Sequence, residues 1–226
     1  IDKPFILIMP ESYAHLLWCL IYMLLAVYVL MLLNVFSTKP SQEKVLHLIA
    51  PYIIIACLLN TLWVVLWQYD LIILSLLVKA ILFLCLMIVL FHFRSKIIAM
   101  RAAIGLFAGW VFINLIINAN LAFDSLGITR FLFSEVLWAH MFLVAGLVFI
   151  LITTFKIKNV SFILSSCWGY MAILTSHLPN GSYQGEHLSL LITLVLSLVI
   201  LLIFLLYLMY MQYGKKHFNR MIKEEI

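Results

Sequence analysis

Charged residues are scarce in this chain. Only 10% of its 226 residues are Asp, Glu, Lys or Arg, against roughly 25% in an ordinary soluble domain. So few polar side chains cannot cover a water-facing surface, and a chain so rich in apolar residues does not stay disordered. The scarcity of charge therefore excludes a soluble globular protein and a disordered one.

Cysteine is also sparse, and recognisable catalytic motifs are missing. Cys19, Cys57, Cys85 and Cys167 each fall inside an apolar run, without a Cys or His partner at metal-site spacing. We interpret them as small apolar packing residues. The sequence contains no H-E-x2-H, G-x-S-x-G or G-x4-G-K-[ST] motif, so it indicates no catalytic residue and no metal site, and we do not expect an enzyme.

Apolar sequence is abundant, at 66% of the chain, or about 149 positions. Seven membrane spans of about 20 residues fit this number and ten do not. Because the apolar runs are long and continuous, the sequence predicts an all-α polytopic transmembrane bundle rather than a β-barrel. The predicted helices cover about 11–36, 45–68, 70–93, 99–123, 132–155, 159–177 and 187–213.

Two breaks between these runs have clear local causes. Pro40 predicts a turn at 37–41, because proline cannot continue a helix. The second and third runs are separated by only Gln68, Tyr69 and Asp70, which predicts antiparallel neighbours. The tightness of this connection leaves six or eight spans as alternative counts.

Basic residues are distributed unevenly between the two ends of the predicted bundle. With seven helices, eleven of the fourteen lie on one side, Lys3 and Arg130 lie on the other, and Lys79 lies inside the third helix. The positive-inside rule then predicts a cytoplasmic C-terminus, an external Ile1 and a plasma or inner membrane location. An external start leads us to expect a further helix before Ile1, and the basic stretch 214–223 to contact anionic lipid. The net charge of +5 thus reflects topology rather than nucleic-acid binding.

Aromatic and amide side chains form stripes on three predicted helices, because residues three, four, seven or eight positions apart share a helix face. The stripes are His15, Trp18 and Tyr22; Asn60, Trp63 and Trp67; and Trp110, Asn114 and Asn118. A buried amide is costly unless it is hydrogen-bonded, so we expect the stripes to face protein or a cavity. The alternatives are simple interhelical hydrogen bonds for the asparagines and an interfacial aromatic belt for Trp67.

Lys79 is the one basic residue inside a predicted span, about 13 Å deep at 1.5 Å per residue. It fits a counter-charge for an anionic ligand or an ion path. It equally fits a side chain that extends to the outer interface, or pairs with an acid there.

Two glycines on the fourth predicted helix indicate close packing. Gly105 and Gly109 are four residues apart, a spacing typical of helices whose backbones approach each other closely in membranes. We predict that another helix packs at this position.

The first and third stripes resemble motifs of the tryptophan-rich sensory protein, or translocator protein, family (TspO/MBR). In that family a proline precedes a helix that carries W-x3-Y, and here Pro10 precedes Trp18 and Tyr22. A later family helix has a tryptophan eight residues before an asparagine, which is similar to Trp110 and Asn118.

The second stripe extends this resemblance. The family motif L-N-x2-W, followed by an aromatic residue four positions later, is matched by 59–63 and Trp67. The similarity covers about 10–124, without the family's first helix. It implies one integral membrane domain, with a TspO-like core at 1–124 and three additional helices and a basic tail at 125–226.

The resemblance implies ligand binding rather than catalysis. Family members bind porphyrins, sterols and synthetic aromatic drugs inside the bundle, and a sensory or transport role follows from this. The residues carried over to a ligand site are Trp18, Tyr22, Asn60, Trp63, Trp67, Trp110 and Asn118, with Asn114 on the same face.

The expected partners are the lipid bilayer and a hydrophobic small molecule of the porphyrin, haem or sterol type, with a homodimer as a further option. Two alternatives belong to different classes. One is a small-solute or ion transporter or channel that uses Lys79. The other is a structural subunit of a larger membrane complex.

Overall fold

The computed structural model describes residues 6–33, 35, 40–93, 97–128 and 133–214. Over these ranges the chain is helical and contains no strand. The α-helices are α1 Leu16–Leu32, α2 Pro40–Gln68, α3 Ile72–His92, α4 Ile98–Ser125, α5 Glu135–Ile157, α6 Val160–Ser176 and α7 Leu188–Met209. A 3-10 turn, Ser12–His15, leads into α1. The predicted all-α polytopic bundle is confirmed.

Six of these helices are long and apolar enough to cross a membrane. They are α2, α3, α4, α5, α7 and the unit formed by α1 with its preceding turn. The seventh, α6, is apolar but has only 17 residues, or about 25 Å, against about 30 Å of hydrocarbon. The protein is therefore an integral multi-pass membrane protein.

The boundaries differ from the sequence prediction mainly at α2. This helix begins at Pro40, because a proline in the first turn gives up only an N–H that has no intrahelical partner. The rest of the predicted turn, 37–39, and the basic stretch 215–223 lie outside the described residues. The tight connection between α2 and α3 is confirmed, with Asp70 in the left-handed region at φ 54°.

Helix α4 is the centre of the bundle. It packs against α1, α3, α5 and α6, and 78% of its most apolar 18-residue window is buried, against 22% for α1 and α2. A Cβ added at Gly109 would overlap the backbone carbonyl of Phe162 and the hydroxyl of Ser165 on α6. The close helix packing predicted from the glycines is confirmed.

One asparagine holds the start of α6 against the start of α4. The Asn159 side-chain oxygen accepts hydrogen bonds from the backbone N–H groups of Ser161 (2.9 Å) and Phe162 (3.1 Å). Its amide nitrogen donates to the carbonyl of Arg101 (3.0 Å). The Arg101 guanidinium in turn donates to the carbonyl oxygens of residues 157 and 158. Three helix ends are thus tied together without an ion pair.

The segment before α1 is held at the opposite end of the bundle by the loop between α6 and α7. His177 hydrogen-bonds the carbonyl of Leu7 (2.8 Å), and the backbone N–H and hydroxyl of Ser182 donate to the Glu11 carboxylate (2.8 and 2.7 Å). The hydrogen bonds from Ser182 lower the pKa of Glu11. These contacts fix the point at which α1 enters the bundle.

Candidate functional site

Lys79 is completely buried on α3, seven residues from the start of the helix. Its amine nitrogen lies 3.0 Å from the ring centroid of Trp63 and 5.9 Å from that of Trp18. No hydrogen-bond partner for this amine is present in the described part of the chain. A lysine so deep in a membrane protein is costly, and aromatic faces compensate only a part of that cost.

The stripes on α1 and α2 meet around this amine. Trp18 stacks on Tyr22 with ring centroids 5.4 Å apart and an angle of 18° between the planes. The Asn60 amide donates to the Tyr22 hydroxyl at 3.2 Å. We call Trp18, Tyr22, Asn60, Trp63 and Lys79 the aromatic–lysine cluster.

Trp67 and the α4 stripe border the cluster. The rings of Trp63 and Trp67 have centroids 5.9 Å apart. On α4, Phe107 contacts Trp18 edge-to-face at 5.7 Å, and fully buried Trp110 contacts His15 at 6.2 Å. Trp110 therefore lies at the interface of α1 and α4, beside the cluster rather than within it.

The two asparagines of the α4 stripe differ in their environment. The Asn114 amide donates to the carbonyl of Trp110 in its own helix at 2.8 Å. Asn118 is 1% exposed, and its amide nitrogen has no hydrogen-bond partner among the residues that the structure describes. The Asn114 amide nitrogen therefore has a partner in its own helix, whereas the buried Asn118 amide nitrogen has no partner in the described ranges.

Several residues of the predicted site have buried polar atoms without a partner in the described ranges. Eight side-chain N or O atoms in the described ranges are buried without a hydrogen bond, and five of them belong to predicted site residues. Those five are Lys79 Nζ, Trp63 Nε1, Trp110 Nε1, Asn118 Nδ2 and Asn60 Oδ1. Buried polar groups are almost always paired, and three of these five atoms, on Lys79, Trp63 and Asn60, belong to the aromatic–lysine cluster, which makes the cluster the candidate ligand site.

The family to which the chain belongs follows from a match over most of its length. A family model described as TSPO-like protein matches residues 1–210. The chain belongs to the TSPO-like protein family. The match includes α5, α6 and α7 as well as the region 10–124 that carries the aromatic and amide motifs. Comparisons with curated proteins and with solved structures gave no match.

In this TSPO-like protein a part of the aromatic–lysine cluster is exposed on the surface of α1 and α2. Helix α1 packs mainly against α4, and α2 packs mainly against α3, so these two helices contact each other sparsely. Tyr22 is 51% exposed, and Trp18 and Trp63 are half-buried. Because these residues lie within the candidate spans, their exposed parts face the region that lipid would occupy.

Phe107 is the site residue that sequence reasoning missed. It lies three residues before Trp110 and therefore on the same side of α4, and this spacing could have identified it. Tryptophan, tyrosine and amide residues stand out in an apolar run, whereas phenylalanine is too common there to do so. Its ring nevertheless connects α4 to Trp18.

Proposed function

We propose that this TSPO-like membrane protein binds a flat, hydrophobic, aromatic small molecule of the porphyrin or sterol type at the aromatic–lysine cluster. The observation that carries the proposal is the convergence of the Trp18, Tyr22 and Trp63 rings on buried polar atoms that lack partners. Flat aromatic walls stack on a flat ligand, and a few polar groups orient it.

The exposure of Tyr22, and the partial exposure of Trp18 and Trp63, within the candidate spans support entry from the membrane. A hydrophobic ligand partitions into lipid, so a lateral path keeps it out of water until it reaches Trp18 and Trp63. A site that exchanges its ligand with the membrane suits both a sensory protein and a carrier, and we propose either role.

Simultaneous replacement of Trp18 and Trp63 by alanine is expected to weaken protoporphyrin IX binding by at least about tenfold, because both stacking faces are lost. Binding is measured in detergent from the shift of the porphyrin absorption band, which does not depend on tryptophan fluorescence. Trp138→Leu is the matched control, since Trp138 packs on Phe123 and Phe142, away from the cluster. Equal affinity for the double variant and the control would rule out this site.

We also propose that the ends of α2, α4 and α6 nearest Lys44, Arg101 and Lys158 face the cytoplasm, in a plasma or inner membrane. These basic residues lie at one end of the bundle, whereas the linker 69–71 and the loop 177–187 lie at the other. In a cysteine-free background, a cysteine at Ser182 is expected to react with an impermeant thiol reagent in intact cells, and a cysteine at Lys44 only after lysis. The reverse pattern would contradict this orientation.

A further inference from the structure

We propose that Lys79 binds a carboxylate of the ligand, so that the natural ligand is a flat apolar acid rather than a neutral molecule. This inference rests on the proposed function, because it assigns a chemical class to the molecule bound at the aromatic–lysine cluster. The Lys79 amine has 0% exposure and lies against the aromatic faces of Trp63 and Trp18. It has no hydrogen-bond partner in the described ranges.

Most of the buried polar atoms that lack a partner in the aromatic–lysine cluster are hydrogen-bond donors. Of the three unpartnered buried atoms in the aromatic–lysine cluster, two are nitrogen donors, on Lys79 and Trp63. The third is the amide oxygen of Asn60, whose nitrogen already donates to Tyr22. A complementary ligand must therefore present acceptors, and a carboxylate is the strongest acceptor that a small organic molecule offers to an ammonium group.

The protein itself supplies no acid at the depth of Lys79. Within the described ranges, every Asp and Glu lies in a loop or in the first or last turn of a helix. These residues are Glu11, Glu43, Asp70, Asp124, Glu135 and Glu186. The interior of the described helices therefore holds no carboxylate that could neutralise this amine.

Charge compensation favours the same class of ligand. An uncompensated ammonium group in a hydrocarbon interior is unfavourable, and pairing with one carboxylate gives the site no net charge. The ring of Trp63 then keeps its cation–π contact, while the flat body of the acid lies against Trp18 and Tyr22. A neutral ligand of the same shape would gain the stacking but leave the amine without a counter-ion.

A pair of porphyrins with and without free carboxylates tests this inference. Protoporphyrin IX has two carboxylates, and its dimethyl ester has the same macrocycle with none. We expect wild-type protein to bind the acid about tenfold or more tightly than the ester, in the same detergent. In Lys79→Met this preference is expected to disappear, whereas Lys44→Met, which removes an exposed lysine, should retain it.

The outcomes separate the two proposals. Wild-type protein that binds the ester as tightly as the acid would overturn the role of Lys79, and would leave the aromatic binding site intact. Wild-type protein that binds neither porphyrin would instead contradict the proposed function. Ester binding by Lys79→Met at the wild-type level shows that the variant is folded. Lys79→Arg keeps a positive charge and should retain most of the acid preference.

Discussion

Gly109→Ala is expected to lower the melting temperature of the detergent-solubilised protein by more than about 10 °C, or to prevent folding. The new methyl group would overlap the carbonyl oxygen of Phe162, which belongs to the α6 backbone. Overpacking usually lowers the free energy of unfolding by about 1–3 kcal/mol. The loss reaches or exceeds the upper end of this range when a whole helix must move. Because α4 and α6 form the most extensive helix–helix contact of the described bundle, the displacement would disturb the entire core.

Ala26→Leu is the matched control, because it adds a larger side chain on an exposed face of α1. It should melt close to the wild-type temperature. Melting is followed by intrinsic fluorescence, and size-exclusion chromatography reports aggregation. If Gly109→Ala melted within about two degrees of wild type, the close approach of α4 and α6 at this point would be incorrect.

Asn159→Leu is expected to reduce the free energy of unfolding by about 1.5–2.5 kcal/mol. The loss combines the N-cap of α6, worth about 1 kcal/mol, with the hydrogen bond that the Asn159 amide donates to the Arg101 carbonyl, worth about 0.5–1.5 kcal/mol. Asn159 is 3% exposed, so water cannot easily replace either partner. The measurement is the midpoint of denaturant-induced unfolding in mixed micelles.

Asn159→Ser separates the two contributions. Serine keeps a capping oxygen for Ser161 and Phe162 but lacks the amide that donates to Arg101. It should therefore be destabilised by roughly half as much as Asn159→Leu. If both variants unfolded at the same denaturant concentration as wild type, the proposed tie between α4 and α6 would be wrong.

Hydropathy and helical spacing were sufficient to predict much of this molecule. The seven apolar runs correspond to α1–α7, because a membrane-spanning helix requires a long apolar run, which can be recognised directly in the sequence. The spacing of Trp18 and Tyr22 on α1, and of Asn60 and Trp63 on α2, placed each pair on one face. The two faces meet through the hydrogen bond from Asn60 to Tyr22, although α1 and α2 otherwise contact each other sparsely.

The sequence could not determine what individual polar groups bond to. Asn114 and Asn118 lie on the same face of α4, yet the Asn114 amide donates to the carbonyl four residues before it, whereas the Asn118 amide nitrogen has no hydrogen-bond partner in the described ranges. Spacing fixes the face of a helix but not the choice between a local carbonyl and a partner on another helix. The same holds for Lys79, because depth alone does not decide whether a lysine points to an interface or to the ring of Trp63.

The central position of α4 has a consequence for how the protein is made. Of the six candidate spans, α4 has the lowest mean hydropathy and the highest buried share. Its asparagines and glycines suit contact with protein, so as a newly inserted segment it partitions into lipid less well than α3 or α7. During synthesis α4 should therefore remain beside α3 at the translocation channel until α6 emerges and covers its glycine face. A pause of the ribosome after α4 and before α6 would prolong the stage at which the glycine face of α4 is uncovered and the nascent chain is accessible to quality-control proteases.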